Sequence, residues 1–393
     1  WHMFRQIPYL DLGVHSRADW VANILLYFPF GFTCYAWMTS RDPSLLLKAA
    51  LAMMLMILGA SLAIGLEFLQ IFFAPRTVSQ NDIIAEIIGL VLGISGYELT
   101  RHHLRSIMAA LSNKGVHAFR AGLAMYILAY LFMNLFPFDF LISFQELAWK
   151  WSSRPVLIQS LLPGCGLDLR CLLMKAGEVV AVIPIGVSVS LGCGANKRSN
   201  LLKAAIVGLI LGVVLEGLQF FLASGVTQLF SVLTRCFGVM LGTWAWEGGL
   251  GFLARPERLT KPAFKWLFSV VFLGHLALLF LVFGWLDGNW LPWGEGWDRL
   301  STKMFIPFYY HYFSTETAAM KSILAVSALY APIGALVFLL GLNQKAIRSR
   351  SITAAALAAI LAATLESGQL FFPGKHPDYT NILIAAFSAY CAA

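Results

Sequence analysis

Long apolar runs constrain this chain more than anything else in it. Eleven can be marked, at roughly 20–39, 45–73, 82–99, 118–136, 172–192, 201–223, 229–247, 265–285, 319–342, 352–372 and 378–393. A bilayer core offers no water to backbone N–H and C=O groups, so a spanning segment must satisfy them internally, as a helix does. A span needs about 20 apolar residues, and the last run is short for one. Composition closes the alternatives. Only 12% of the residues are charged and 59% are hydrophobic, against about 25% charged in an ordinary soluble domain. That is too little charge to coat a soluble surface, and too much hydrophobicity for a disordered chain. The expected fold is all-α, a polytopic membrane protein with about eleven transmembrane helices.

The connections alternate in character. One set is short and basic, carrying Arg41 and Lys48, then Arg101, Arg105, Lys114 and Arg120, then Lys197, Arg198 and Lys203, then Arg255, Arg258, Lys261 and Lys265, then Lys345, Arg348 and Arg350. All of these fall on one side if the runs alternate, and the positive-inside bias assigns that side to the cytoplasm. The other set contains two long loops, about 137–171 and 286–318, with Trp149, Trp151, Trp290, Trp293 and Trp297. Tryptophan-rich loops suit an interfacial belt. This distribution accounts for the net charge of +8 without nucleic acid, for which no reading module is present. Cys165 and Cys171 share one loop and either form a disulfide or remain two free thiols.

The chain also repeats itself. Leu66-Glu67-Phe68-Leu69-Gln70 recurs as Leu215-Glu216-Gly217-Leu218-Gln219 and as Leu365-Glu366-Ser367-Gly368-Gln369, so the glutamates are 149 and 150 residues apart. Pro29-x-Gly31, Pro184-x-Gly186 and Pro332-x-Gly334 precede them. Gly89 with Gly93, and Gly238 with Gly242, follow at matching offsets, with Ser388 at the first of these offsets in the third copy. Three elements in one order make three parallel tandem units of about 150 residues, expected at 1–117, 118–264 and 265–393. A full unit has four helices, so successive units insert the same way, unlike inverted transporter repeats. The first unit lacks the lead helix of the others, which implies residues ahead of Trp1.

A carboxylate about 9 Å inside a span, as Glu67 is at 1.5 Å per residue, is expensive and a functional candidate. Its other reading is an interhelical polar clasp with Gln70, its neighbour at i+3. Arg76 and Asp82 follow, with Glu86 a turn beyond Asp82. The second unit has Gly225 and Ser231 at the Arg76 and Asp82 offsets, and the third has Asn381 at the latter. The first unit therefore keeps the fullest polar set. The ligand-binding candidates are Asn23, Glu67, Gln70, Arg76 and Asp82, whereas Glu216, Gln219, Glu366 and Gln369 read as structural counterparts. No catalytic residue can be named, because the hydrolase, metalloprotease, phosphate-loop and dinucleotide motifs are all absent. No metal cluster assembles from the scattered histidines and no cofactor is expected.

Asp19, Asn23, Pro29 and Gly31, then Glu67 and Gln70, Arg76 and Asp82, and Gly89 and Gly93, together resemble a VanZ-like domain. The resemblance spans residues 19–97. It is weaker over 174–246 and 320–390, which look like degenerate copies. One departure is Glu86, where the family pattern has Asn. The resemblance implies a multi-pass protein of the bacterial inner membrane with a cell-envelope role, the name-giving member being linked to resistance to the glycopeptide teicoplanin. It supplies no catalytic residue. The expected function is binding or handling of a lipid, a lipid-linked glycan or an amphiphilic antibiotic at an outer-facing cleft. The expected partners are membrane lipids and such a ligand. The alternatives are an accessory subunit of a larger membrane complex and an enzyme acting on a lipid-linked envelope substrate.

Overall fold

A computed structural model describes residues 14–72, 79–112, 116–153, 169–192, 197–248, 262–285, 290–340 and 347–393. The described residues are helical apart from turns, loops and one isolated antiparallel bridge between Phe140 and Leu222. In chain order the α-helices are α1 (Val14–Met38), α2 (Leu45–Gln70), α3 (Gln80–Ser112), α4 (Val116–Leu135), α5 (Phe144–Ser153), α6 (Leu169–Gly192), α7 (Lys197–Phe220) and α8 (Leu229–Gly248). They continue as α9 (Pro262–Val282), α10 (Trp293–Asp298), α11 (Tyr309–Tyr312), α12 (Glu316–Leu340), α13 (Ile347–Gly368) and α14 (Thr380–Ala392).

Among the described residues, eight helices are long and apolar enough to cross a membrane. Three shorter apolar stretches, Phe119–Leu135, Phe272–Val282 and Thr380–Ala392, occupy the remaining expected runs. The protein is an all-α, multi-pass membrane protein. One expected loop is helical instead. The basic stretch with Arg101, His102, His103 and Arg105 extends α3 to Ser112, since none of these residues breaks a helix.

The chain divides into two compact parts, Trp1–Pro256 and Glu257–Ala393. The first holds two helix trios, α1–α2–α3 and α6–α7–α8, with α4 beside α3, α6 and α7. The second holds a third trio, α12–α13–α14, with α9 beside α12. In every trio the third helix is central and packs extensively on both others.

Small residues make that packing close. The Cβ of an alanine at Gly89 would strike the Ile24 carbonyl oxygen, and one at Gly93 the Phe28 carbonyl oxygen. Gly238 and Gly242 meet Val179 and Ile183 in the same manner. At the third copy Ser388 replaces the first of these glycines, and its hydroxyl donates to the Ser327 carbonyl at 2.8 Å. The glycine of each Pro-x-Gly faces the third helix from the other side: Gly31 lies against Leu90, Gly186 against Val239 and Gly334 against Ala389. Each helix runs on through its proline.

The second helix of each trio packs along a narrow stripe at every fourth residue. The buried positions are Leu55, Gly59, Ala63 and Glu67, then Ala204, Gly208, Gly212 and Glu216, then Ala354, Ala358, Ala362 and Glu366. Residues four apart share a face, so each stripe leads down one side of its helix to the glutamate. The rest of α2 exposes large apolar side chains, among them Leu46, Met53, Ile57 and Leu62. In a bilayer, where van der Waals packing rather than the hydrophobic effect joins helices, such faces meet lipid tails.

Gly242→Ala is expected to destabilise the protein by about 1–3 kcal/mol, the usual cost of overpacking, read as a lowered unfolding midpoint in detergent. Gly65→Ala, at a position with open space, should leave the midpoint unchanged.

Candidate functional site

Each repeated glutamate ends its stripe facing the start of the next helix. Glu67 Oε2 accepts the Ser79 backbone N–H at 3.4 Å, just ahead of α3. Glu216 Oε2 accepts the Gln228 N–H at 2.5 Å, just ahead of α8. Glu366 Oε2 accepts the Asp378 N–H at 2.9 Å, ahead of α14. The sequence separation is 12 residues in all three. The first N–H groups of a helix lack intrahelical partners and carry its positive dipole end. A carboxylate from the neighbouring helix answers both needs, so the glutamate is an interhelical clasp in all three trios.

The surroundings of that clasp differ. In the second trio Arg235 of α8 places Nη1 2.5 Å from Glu216 Oε1, with both side chains almost wholly buried. The same guanidinium reaches Tyr130 Oη at 3.2 Å through Nε and Asn134 Oδ1 at 3.3 Å through Nη2. In the third trio Asn381 Nδ2 donates to Glu366 Oε1 at 2.7 Å. In both, the two carboxylate oxygens are engaged from within the protein.

The first trio carries Glu86 at the position of Arg235, three residues before the first glycine of the third helix. Glu86 is buried, and its Oε2 has no hydrogen-bond partner. Glu67 and Asp82 both act on it electrostatically. Tyr27 of α1 faces it, with its hydroxyl directed at the Glu86 carboxyl, and Tyr330 is the corresponding buried phenol beside Glu366 in the third trio. Asn23, one turn before Tyr27, is buried as well. Trp20 Nε1 donates to the Asn81 carbonyl at 3.0 Å, tying α1 to the start of α3 beside this pocket.

The candidate residues read from sequence therefore distribute as follows. Glu67, Asp82 and Asn23 lie at the α1–α2–α3 contact, Glu67 and Asn23 buried and Asp82 half-buried in the first turn of α3. Gln70 is the last residue of α2 and half-buried. Arg76 lies outside the described residues. Gln219 Nε2 donates to the Asn134 carbonyl at 3.2 Å, and Gln369 begins a short 3-10 turn. Sequence reasoning passed over Tyr27, Arg235 and the interior position of Glu86. A signal for Arg235 existed, because it is a charge inside an apolar run.

Two interfacial segments brace the clasps. Lys150 of α5 is buried, and its Nζ donates to the Gln219 and Leu222 carbonyls at the end of α7. Arg299, after α10, donates to the Leu370 and Phe372 carbonyls at 2.9 and 2.7 Å. A cation at the carbonyl end of a helix matches its dipole. The backbones also join: the Leu141 N–H donates to the Phe221 carbonyl at 2.8 Å and the Leu291 N–H to the Phe371 carbonyl at 2.7 Å. On α5 the tryptophans face outward while the lysine faces inward, with Trp149 and Trp151 more than half exposed. That inversion suits an interface helix. In the third trio His311 Nδ1 stands 3.3 Å from Asp378 Oδ2, linking α11 to the turn before α14. Cys171 is disulfide-bonded, and Cys165, its expected partner, lies outside the described residues. Among the described residues no group of His, Cys, Asp and Glu is arranged to hold a metal ion.

Against known proteins, the family model described as VanZ/LLP1 matches residues 1–101. That stretch is VanZ-like, and it contains the pocket with Glu67 and Glu86. No curated protein and no solved structure matches the chain.

Two outcomes follow from the clasps. Arg235→Met leaves Glu216 buried without its cation, which costs about 3–5 kcal/mol and should lower the unfolding midpoint sharply, with partial recovery in the double variant Arg235→Met/Glu216→Leu. The second concerns Glu146 of α5, which lies outside the spans. Arg17 at 2.6 Å and the Ile142 and Ser143 N–H groups hold its carboxyl down to about 2, from an ordinary 4.5. A depressed carboxylate favours the folded state above its unfolded value, and that contribution disappears as pH falls through the folded value. Amide exchange at Ile142 and Ser143, corrected for intrinsic rates, should stay protected at pH 4 and lose protection only near pH 2.

Proposed function

We propose that this protein binds or handles an amphiphile of the cell envelope, through the polar pocket of its first trio. The ligand classes are a membrane lipid, a lipid-linked glycan and an amphiphilic antibiotic. One observation carries the reading. The second trio sets a buried cation, Arg235, on its clasp glutamate, whereas the first trio has a buried acid, Glu86, at that position, with its Oε2 lacking a hydrogen bond. Unmatched buried polar atoms are costly in the molecule alone. The match of residues 1–101 to VanZ/LLP1 supports the same region as the working one.

On this reading the chain consists of three VanZ-like units, at 1–117, 118–264 and 265–393, with the first functional and the other two structural. The recurrence of the clasp glutamates, and of Gly89, Gly238 and Ser388 on the third helices, at 149 or 150 residues supports that division. The basic connections face the cytoplasm by the positive-inside bias, the membrane is the bacterial inner membrane, and the pocket opens outward.

The internally satisfied second and third clasps also favour a second reading, an accessory subunit whose later trios serve as shape for a larger membrane assembly. Single variants separate the two. Arg76→Gln and Asp82→Asn should each abolish protection of cells against an amphiphilic envelope antibiotic at unchanged protein level, Glu67→Gln should abolish protection and lower the unfolding midpoint, and Glu366→Gln should lower the midpoint and leave protection intact. Wild-type protection in all three first-unit variants overturns the pocket reading.

A further inference from the structure

The three trios differ in what covers one side of their first helix. We propose that the open side of α1 docks a further transmembrane helix, one that residues 1–393 do not supply, apolar throughout and carrying a hydrogen-bonding side chain at mid-length.

In the second and third trios this place is filled from within the chain. α4 lies beside α6, and its Tyr126 hydroxyl donates to the Ala181 carbonyl at 2.6 Å. α9 lies beside α12, and its His275 Nε2 stands 2.9 Å from the Leu329 carbonyl oxygen. Ala181 and Leu329 are each three residues before the proline of their helix, Pro184 and Pro332. Proline has no N–H for the turn before it, and in a membrane a neighbouring helix can supply the donor instead. The contact continues one turn further along each lead helix. Ile127 and Tyr130 of α4 pack with Val182 and Ile185, and Leu279 and Phe283 of α9 pack with Tyr330 and Ile333. Two helices of unlike sequence therefore make the same contact.

The first trio has the proline and the carbonyl without the helix. Leu26, three residues before Pro29, is the equivalent of Ala181 and Leu329. It is 58% exposed, and among the described residues no side chain donates to its carbonyl. Phe30 is 36% exposed, where Ile185 is 6% and Ile333 1%. Thr33 is exposed, where Ser188 is half-buried and Leu336 buried. Trp37 is exposed as well. Leu26, Phe30, Thr33 and Trp37 follow one another at helical spacing, so α1 carries an open stripe of about three turns. Lipid tails suit its apolar side chains but offer no donor to the carbonyl.

Both lead helices among the described residues are engaged, α4 with the second trio and α9 with the third. The helices of a second copy are engaged in the same way. The two examples also define the occupant. It places Tyr or His at the Leu26 carbonyl and further side chains four and eight residues on, as Tyr126, Tyr130 and Asn134 do, or His275, Leu279 and Phe283. This contact is independent of the polar pocket, and it gives the assembly reading a defined surface.

The test uses the full chain in nanodiscs with a dye-labelled synthetic peptide of α4, Val116–Leu135, as probe. Binding is read by energy transfer to a dye on the chain, with a polyleucine peptide of equal length as control. The wild type should bind one α4 peptide saturably and should not bind polyleucine. Tyr126→Phe in the peptide should raise Kd about threefold to tenfold, the worth of one hydrogen bond. That change lies in the probe and leaves the folding of the chain untouched. Thr33→Trp in the chain should abolish binding by filling the stripe, whereas Met53→Trp, at an exposed position of α2, should leave Kd unchanged. An α4 peptide that binds no better than polyleucine, or that binds Thr33→Trp as well as the wild type, overturns the assignment. In cell membranes a photoreactive side chain placed at position 33 should capture an apolar segment with a mid-span donor. Capture of a second copy of residues 1–393, or of lipid alone, overturns it too. Protection by the pocket variants is a separate readout, so the pocket and the docking site can each fail alone.

Discussion

A helix that begins inside a membrane protein presents N–H groups with no partner, and the rest of this structure is arranged around that fact. Three times the missing acceptor is a glutamate from the preceding helix, reaching an amide 12 residues on. The arrangement solves two problems together. The amides gain an acceptor, and the carboxylate gains the positive end of a helix dipole, without which its burial in a dry interior costs several kcal/mol. Neither group is tolerable at that depth alone. The pair is, and it fixes the register of the second helix against the third.

For the carboxylate to reach, the helices must come close. The stripe of Gly, Ala and one Leu at every fourth position lets the second helix lie on the third, and the glycines of the third helix let its backbone meet that of the first. The two contacts use different faces of the central helix, so the first and second helices touch it more than each other. Where a glycine is lost, as at Ser388, the crossing survives because the hydroxyl makes a hydrogen bond to the carbonyl it approaches. Close approach and backbone satisfaction are thus one requirement met in two ways.

The helical fold and the positions of the spans were legible because lipid permits so little else. The clasp glutamates were legible because charge is scarce, so an acid in an apolar run stands out. Their partners were not. The acceptor role of Glu67 depends on an amide, that of Ser79, and every residue has an amide, so no side-chain pattern marks it. Lys150 reads as an ordinary basic residue of an exterior helix. Only the fold shows that it is buried on the carbonyl end of α7 while its tryptophan neighbours face outward. Glu86 was visible as a departure from the family pattern, but its meaning needed Arg235 placed beside it in the equivalent trio. The clasp on Ser79 engages one carboxylate oxygen of Glu67.

That division of labour lets one motif be kept three times in different surroundings. The oxygen facing the helix start is constrained identically in every copy, so the glutamate persists whether or not its trio does anything else. The second oxygen meets what the central helix supplies: an arginine in the second turn of α8, an asparagine at the start of α14. Each of those choices gives the second carboxylate oxygen a donor from within the chain. At the place of Arg235, α3 carries an acid instead, Glu86. Stability by itself favours the completed versions, since a buried carboxylate without a donor is destabilising.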